Sequence, residues 1–174
     1  MGRKPLNHEQ IYECTVRLRD ILAEAEKTGS FGPEVADMYA KQGVYTTEYA
    51  GVLTVRAEGV DNIMATHYDR DMALGWDGWT FPYQGIFVGE NNQAIAHWMN
   101  RGPGRRRDDG YYETPGVSIF TYDDEGKIVD QLDMFDLAHQ LHLCDELDEA
   151  GLLNPMLKES WVVPMKTKLI EMLS

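Results

Sequence analysis

One carboxyl group stands in a strand pattern that is otherwise suited to a protein interior. Within the segment 128–135, Asp133 shares its parity with Val129, Gln131 and Phe135. Alternate side chains of a strand point to the same face, so this carboxyl is expected beside apolar neighbours. Burial makes a carboxyl costly to ionise and raises its pKa, which can prepare a general acid or base. The alternative interpretation is a structural hydrogen bond near the end of a strand.

Two histidines are alternative proton carriers, because an imidazole has its ordinary pKa near neutral pH. His97 lies in the predicted strand 93–101 next to Trp98, and the two have opposite parity. Only one of them can face the interior, and the sequence leaves open which one does. His67 follows Ile63 by four residues on the apolar face of a predicted helix. Either histidine could equally be a packed structural residue.

Metal and cofactor chemistry have little support in the sequence. His139 and His142 share a helix face and Cys144 follows them, but no second cluster of matching spacing completes a ligand set. No nucleotide-binding motif occurs either. We therefore expect neither a metal nor an organic cofactor. With Cys14, the chain has only two cysteines, which is no disulfide scaffold and favours a reducing, cytoplasmic location.

Composition limits the class of protein further. A chain of 174 residues with 43% hydrophobic residues is long enough for one domain with a packed core. The net charge of −13 argues against nucleic acid and anionic membranes as partners. No apolar run approaches the ~20 residues that cross a bilayer, and the first residues contain no apolar signal segment. These features predict a cytoplasmic domain that is not embedded in a membrane.

The order of elements predicts an α+β fold. Helical spacing and capping residues predict helices over 7–27, 61–74 and 137–150. Another helix is predicted to begin at Pro33, with Val35, Met38 and Tyr39 facing inward. Alternation and turn residues predict strands over 44–49, 52–57, 81–88, 93–101, 111–122 and 126–135. Helices followed by a run of antiparallel strands are typical of an α+β domain.

The last predicted strand also carries a family resemblance. Its start at residues 126–129, Gly-Lys-Ile-Val, and its aromatic-Asp ending at Phe135 resemble the SnoaL-like branch of the NTF2-like superfamily. The order of segments over 7–145 is similar too. The resemblance implies a cone, in which N-terminal helices pack on a strongly curved, mixed, mainly antiparallel sheet around one deep pocket. It implies a domain over 1–150 and a C-terminal extension over 151–174 that packs on the pocket mouth or on a dimer partner.

The resemblance also suggests roles for individual residues. Asp133 stands where epoxide hydrolases of this family keep an acid. The segment 39–49 resembles the early family strand whose Tyr or Asp faces the pocket, which makes Tyr45 a candidate donor, acid or base, or else a core tyrosine. Thr47 stands where the isomerases place their catalytic Asp, so an isomerase mechanism through that position is disfavoured. Arg101 would help Tyr45 to stabilise an oxygen that gains charge.

Members of this family include polyketide cyclases, ketosteroid isomerases, limonene epoxide hydrolases, dehydratases and lyases of aromatic catabolism, and also non-catalytic proteins. We expect a cofactor-independent acid–base lyase, acting by elimination, dehydration or retro-aldol cleavage on a hydrophobic, aromatic molecule such as a lignin-derived diaryl compound. The alternatives are an isomerase or cyclase, an epoxide hydrolase, or a non-catalytic binding module. The expected substrate-binding residues are Arg101, Trp98, Thr47, Gln131, Phe135 and Trp79.

A homodimer is expected as well. The set of alternate residues opposite Asp133 would form an apolar face outside the cone, and large exposed apolar faces usually meet a partner. That face comprises Ile119, Ile128, Leu132 and Met134.

Overall fold

The computed structural model describes residues 5–174, apart from the side chains of residues 73 and 74. Helix α1 (His8–Thr28) begins at a reciprocal cap. The Asn7 side chain accepts the backbone N–H of Gln10, and the Gln10 side chain accepts the backbone N–H of Asn7. The helix ends at Gly29, whose left-handed φ of 66° suits a residue without a Cβ. Its inner face packs on the sheet.

Six strands form one sheet in the order β2-β1-β6-β5-β4-β3. They are β1 (Tyr39–Tyr49), β2 (Leu53–Glu58), β3 (Tyr83–Val88), β4 (Gln93–Arg101), β5 (Glu113–Tyr122) and β6 (Ile128–Phe135). All neighbours are antiparallel except β1 and β6, which run parallel. This arrangement of an N-terminal helix on a mixed, mainly antiparallel sheet confirms the predicted α+β fold class.

The region after α1 differs from the sequence prediction. Helix α2 (Pro33–Ala36) has a single turn, and the chain enters β1 at Tyr39 instead of continuing the helix through Met38. The backbone N–H of Ile128 donates to the Met38 carbonyl, so pairing with β6 begins there. Tertiary pairing thus overrides the local helical signal.

The predicted third helix has an unusual geometry. Helix α3 (Val60–Ile63) continues directly as a π-helix over Met64–Gly75. π-helical turns are rare and occur frequently at functional sites, because they shift side chains relative to an α-helix. Here the segment faces the concave side of the sheet.

Strand β4 turns Trp98 and Asn100 inward and leaves His97 and Arg101 on the outer face. The sequence left open which side of this strand faces the cavity, and the structure excludes the side with His97 and Arg101, so these two candidates are wrong. His97 lies opposite Val117 in the register of β4 and β5. Arg101 donates from Nε to Glu113 Oε2 at 2.7 Å, outside the cone.

The outer face of the sheet differs from the prediction at Ile128, because β6 contains a β-bulge. Tyr122 pairs with Ile128, whereas Thr121 pairs with Asp130, so Val129 is an extra residue. The bulge reverses the alternation, and Ile128 is fully buried in the core instead of contributing to the outer face.

The C-terminal part forms a second hydrophobic cluster. It contains α4 (Leu137–Glu149), α5 (Pro155–Leu157), a π-helical turn (Lys158–Val162) and α6 (Val163–Leu173). Trp79 is buried in this cluster. Trp161 packs against Trp76, Tyr49 and Phe135, with ring centroids 5.3, 5.8 and 6.5 Å apart. No helix within residues 5–174 is long and apolar enough to cross a membrane.

Candidate functional site

A cavity of about 90 Å³ lies between α1, the π-helix 64–75 and the concave face of the sheet. Its apolar and aromatic wall consists of Leu22, Phe31, Tyr45, Tyr49, Tyr68, Met72, Trp76, Phe81, Tyr83, Trp98 and Phe135. Its other polar groups belong to Glu26, Thr47, His67, Asp71, Asn100, Ser118, Gln131 and Asp133. The cavity is therefore mainly aromatic, with a few polar groups at fixed points, which is usual for a small-molecule site.

Asp133 brings a carboxyl group to the cavity from the middle of the sheet. It pairs with Thr47 of β1 and Ser118 of β5, and is only 9% exposed. Burial raises the pKa of this carboxyl, while hydrogen bonding from Ser118, Gln131 and Tyr45 opposes part of the rise. Burial is the larger effect, so the carboxyl holds its proton more tightly than an exposed Asp would.

A chain of hydrogen bonds fixes the orientation of this carboxyl. Gln131 donates from Nε2 to Asp133 Oδ1 at 3.0 Å. The Tyr39 hydroxyl donates to Gln131 Oε1, and it also lies 2.9 Å from the Tyr68 hydroxyl. Because Gln131 Oε1 accepts from a tyrosine, its NH₂ group must face Asp133. The amide therefore holds the carboxylate in one position.

Tyr45 and His67 stack on each other beside this group, with ring centroids 4.0 Å apart. The Tyr45 hydroxyl lies 2.8 Å from Thr47 Oγ1. Burial raises the pKa of Tyr45 well above its ordinary value and lowers that of His67 to about 3. Both rings are therefore neutral near pH 7, and His67 is a weak base there.

The structure brings most of the candidate residues together. The cavity wall contains Asp133, Tyr45, His67, Thr47, Gln131, Trp98 and Phe135. His97, Arg101 and Trp79 lie outside it, the first two on the outer face of the sheet and the third in the C-terminal cluster.

Within the described part of the chain, no three His, Cys, Asp or Glu side chains converge as metal ligands. His139 and His142 are exposed on α4, whereas Cys144 is fully buried.

Glu26 is a cavity residue that sequence reasoning missed. It lies one helical turn after Leu22 on α1, and both residues face the cavity. Its Oε2 accepts the backbone N–H of Phe81 at 3.2 Å. Burial raises the pKa of Glu26 to about 7. The signal was present as an acid that continues the apolar row Leu18, Leu22 at a spacing of four.

Asn100 is the second residue that was missed. It is 2% exposed, and its Nδ2 donates to Gln140 Oε1 of α4 at 2.8 Å. Thr114 donates to the same oxygen at 2.7 Å. Asn100 Oδ1 is buried without a hydrogen-bond partner. Sequence alternation placed Asn100 on the side of Trp98 but gave no sign of this free acceptor.

A fold of this kind, with a mainly aromatic cavity on the concave face of the sheet, can be compared with known families. A sequence profile of the SnoaL-like domain matches residues 18–131, which is more than half of the chain. The chain belongs to the SnoaL-like domain family. The predicted relationship to the SnoaL-like family is thereby confirmed. No curated protein matches the sequence.

Solved structures of several other proteins have similar folds at low identity. An NTF2-like protein from Burkholderia thailandensis E264 is 18% identical with a TM-score of 0.58, over 76% of this chain and 95% of its own. The BvnE pinacolase from Penicillium brevicompactum is 11% identical with a TM-score of 0.59, over 83% of this SnoaL-like chain and 99% of its own. TerC, co-crystallised with polyporic acid, is 11% identical with a TM-score of 0.58, over 77% of this chain and 97% of its own. At these identities the likeness shows the fold alone.

Proposed function

We propose that this SnoaL-like protein is an acid–base enzyme that acts on a small, largely apolar molecule, with Asp133 as the group that takes and returns the proton. The observation that supports this most is the position of Asp133. Its carboxyl is buried in the cavity wall, held by Gln131, and given a raised pKa by burial. A positioned carboxyl of raised pKa is suited to proton transfer near neutral pH.

Tyr45 is the group proposed to stabilise charge. Its hydroxyl lies beside Asp133 and Thr47, and its raised pKa keeps the proton on the oxygen. Once Asp133 has taken a proton and no longer needs this donor, the neutral hydroxyl can donate to a substrate oxygen that becomes negative. Removal of a proton by Asp133 with donation from Tyr45 fits elimination, dehydration or retro-aldol cleavage. We therefore assign the protein to lyase chemistry without a cofactor.

The cavity volume bears on the size of the substrate. Engineered cavities of about 150 Å³ accept benzene, and sites for drug-sized ligands exceed about 300 Å³. A cavity of about 90 Å³ is thus small for a two-ring compound. It favours a substrate with at most one ring over a diaryl compound, unless side chains of the wall move.

The residues of the cavity wall give less support to the other reactions considered. An isomerase of the usual pattern would need a carboxyl where the hydroxyl of Thr47 stands. An epoxide hydrolase that resembles those of this family would need an Arg near Asp133, and none of the described residues around the cavity is an Arg. A non-catalytic binding module could have the same cavity, and only activity measurements separate it from an enzyme.

Asp133→Asn tests the proposal, with Asp130→Asn as a matched control. Asp130 lies on the same strand but is exposed on the outer face. Purified protein is incubated with a panel of one-ring and aliphatic β-hydroxy ketones, aldols and alcohols, each with and without an amino group, and products are detected by mass spectrometry. For any converted compound, Asp133→Asn should lower kcat/KM by roughly 100-fold or more, while Asp130→Asn leaves it unchanged. Full activity in a folded Asp133→Asn protein, or no conversion anywhere in the panel, would argue against the proposal.

A further inference from the structure

The charged side chains around the cavity are all acidic. They are Glu26, Asp71 and Asp133, and none of the described residues in the wall is Lys or Arg. His67 does not supply a positive charge, because burial keeps its ring neutral. Asp71 already pairs with Arg70 at 2.7 Å. Glu26 and Asp133 therefore face the cavity without a cationic partner among residues 5–174.

A second and independent observation is the free acceptor of Asn100. Its amide NH₂ group is engaged by Gln140, so its Oδ1 cannot be exchanged for a donor without losing that bond. A buried acceptor without a partner costs free energy until something donates to it. A ligand with N–H donors would remove that cost, whereas a ligand that only accepts hydrogen bonds would not.

The aromatic wall next to Glu26 is suited to a positive charge as well. Phe81 donates its backbone N–H to Glu26, and its ring lies edge-on to Trp98 with centroids 5.8 Å apart. Trp76 also contributes to this wall. The faces of aromatic rings attract cations within about 6 Å, most strongly when water is excluded.

We propose that the natural ligand of this cavity carries a protonated amine on a small apolar body. The ammonium group would lie beside Glu26 and donate to the acceptors of the wall, and the apolar body would pack on the aromatic rings. The inference rests on the proposed function in assigning the ligand to the same cavity. An anionic ligand would be repelled by two unpaired carboxyls, and a neutral one would leave them uncompensated. Burial raises the pKa of Glu26 to about 7, and a bound cation would offset this effect.

Binding of probe compounds of equal shape and different charge tests the proposal. Benzylamine, benzyl alcohol and benzoate form one series, and isobutylamine, isobutanol and isobutyrate form a smaller one that allows for the cavity volume. Affinities for the full-length protein are measured by calorimetry and by ligand-observed NMR at pH 8. In at least one series the amine should bind roughly 10-fold or more tightly than the alcohol, because it can pair with the carboxylate and the aromatic rings, and the carboxylate ligand should not bind up to 10 mM.

Two variants locate the effect. Glu26→Gln should reduce the preference for amine over alcohol to threefold or less. Glu24→Gln, two residues away on the exposed side of α1 and paired with Lys27, should leave the preference unchanged. Equal or tighter binding of the alcohol or the carboxylate overturns the proposal, as does an amine preference that survives Glu26→Gln or no amine binding at all.

The outcome is separable from that of the proposed function. Turnover of neutral compounds that depends on Asp133 would overturn the amine ligand and leave acid–base chemistry standing. Amine binding that depends on Glu26, without any turnover that depends on Asp133, would support the amine ligand and overturn the proposed acid–base chemistry.

Discussion

Glu26 destabilises the folded protein in a way that depends on pH. Burial raises the pKa of its carboxyl to about 7, so the folded state holds this proton more tightly than the unfolded chain does. The stability linked to that proton is complete below the unfolded pKa and is lost as the pH rises through about 7. Asp71 and Asp133 line the same cavity as Glu26, and Asp77 lines a smaller pocket next to Glu26. None of them is a cation, so none offsets the effect of burial on Glu26, and only the backbone N–H of Phe81 lowers its pKa.

Glu26→Gln should therefore stabilise the protein at high pH. We expect the free energy of unfolding to rise by roughly 1–3 kcal/mol at pH 8 and to change little at pH 4.5, the lower part of this range allowing for solvent at the carboxyl. Urea unfolding at both pH values measures the difference. Glu24→Gln is the control, with an expected change below about 0.5 kcal/mol at either pH. An equal effect of Glu26→Gln at pH 4.5 and pH 8 would contradict the burial argument.

Individual site residues differ in how far the sequence can reveal them. Asp133 can be found because the alternation holds from Gln131 to Phe135, beyond the bulge at Val129, and both of these residues also line the cavity. Glu26 can be found only by treating an acid in an apolar helical row as a signal. Asn100 gives no such sign, since its free acceptor depends on Gln140, which reaches it from α4 far along the chain.

At the level of elements, the packing of β4 on β5 depends on one small residue. Gly116 lies opposite Trp98 on the concave face. A Cβ at position 116 would lie 2.2 Å from the Trp98 ring, far inside van der Waals contact. The Trp98 indole is held there by donation from Nε1 to Ser118 Oγ at 2.9 Å. Gly116 thus allows the aromatic wall to lie flat against the sheet.

Gly116→Ala should consequently be costly. We expect a loss of roughly 1–3 kcal/mol or more from overpacking, measured by thermal unfolding, and an altered near-ultraviolet circular dichroism signal from Trp98. Combining it with Trp98→Phe should recover part of the loss, because the smaller ring vacates the contact. Val117→Ala, a substitution on the outer face of the same strand, is the control for a change of side chain in β5 that does not touch Trp98. Gly116→Ala with unchanged stability and spectrum would contradict this account of the wall.

Element boundaries were predictable where local signals agree with tertiary pairing. The limits of β4 and the capping of α1 at Asn7 follow from the sequence. The facing of β4 does not, because Ile95 and Met99 make its outer side as apolar as the inner side with Trp98. The start of β1 at Tyr39 was not predictable either, since only its partner Ile128 explains it.

At the level of the whole molecule, the outer face of the sheet carries an apolar row. Phe87, Ile95, Ile119 and Leu132 follow one another across β3, β4, β5 and β6 in register. Phe87 is 61% exposed and Ile95 is 40% exposed. Apolar faces of this kind usually meet a partner, so we propose a homodimer through this row.

Ile95→Glu should convert this dimer to a monomer, because a buried unpaired charge at the centre of an interface costs several kcal/mol. Light scattering at 10–100 µM measures the mass, and the Glu variant should retain the melting behaviour of a folded domain. Gln84→Glu, an exposed position of β3 outside the row, is the control and should stay dimeric. A wild-type monomer over this concentration range would refute the proposal.

The parallel pairing of β1 with β6 determines when the site is completed during synthesis. Strands β1 and β2 are connected to β3, β4 and β5 only through β6. Until β6 has been made, the sheet consists of two separate pieces, each with an unpaired edge that can associate with other chains. Tyr45 and Thr47 belong to one piece, and Trp98 and Ser118 belong to the other. Asp133 lies on β6, the strand that joins the two pieces. The carboxyl proposed to transfer the proton is therefore added by the same strand that joins the sheet, so a nascent chain that stops before β6 lacks both Asp133 and a continuous sheet.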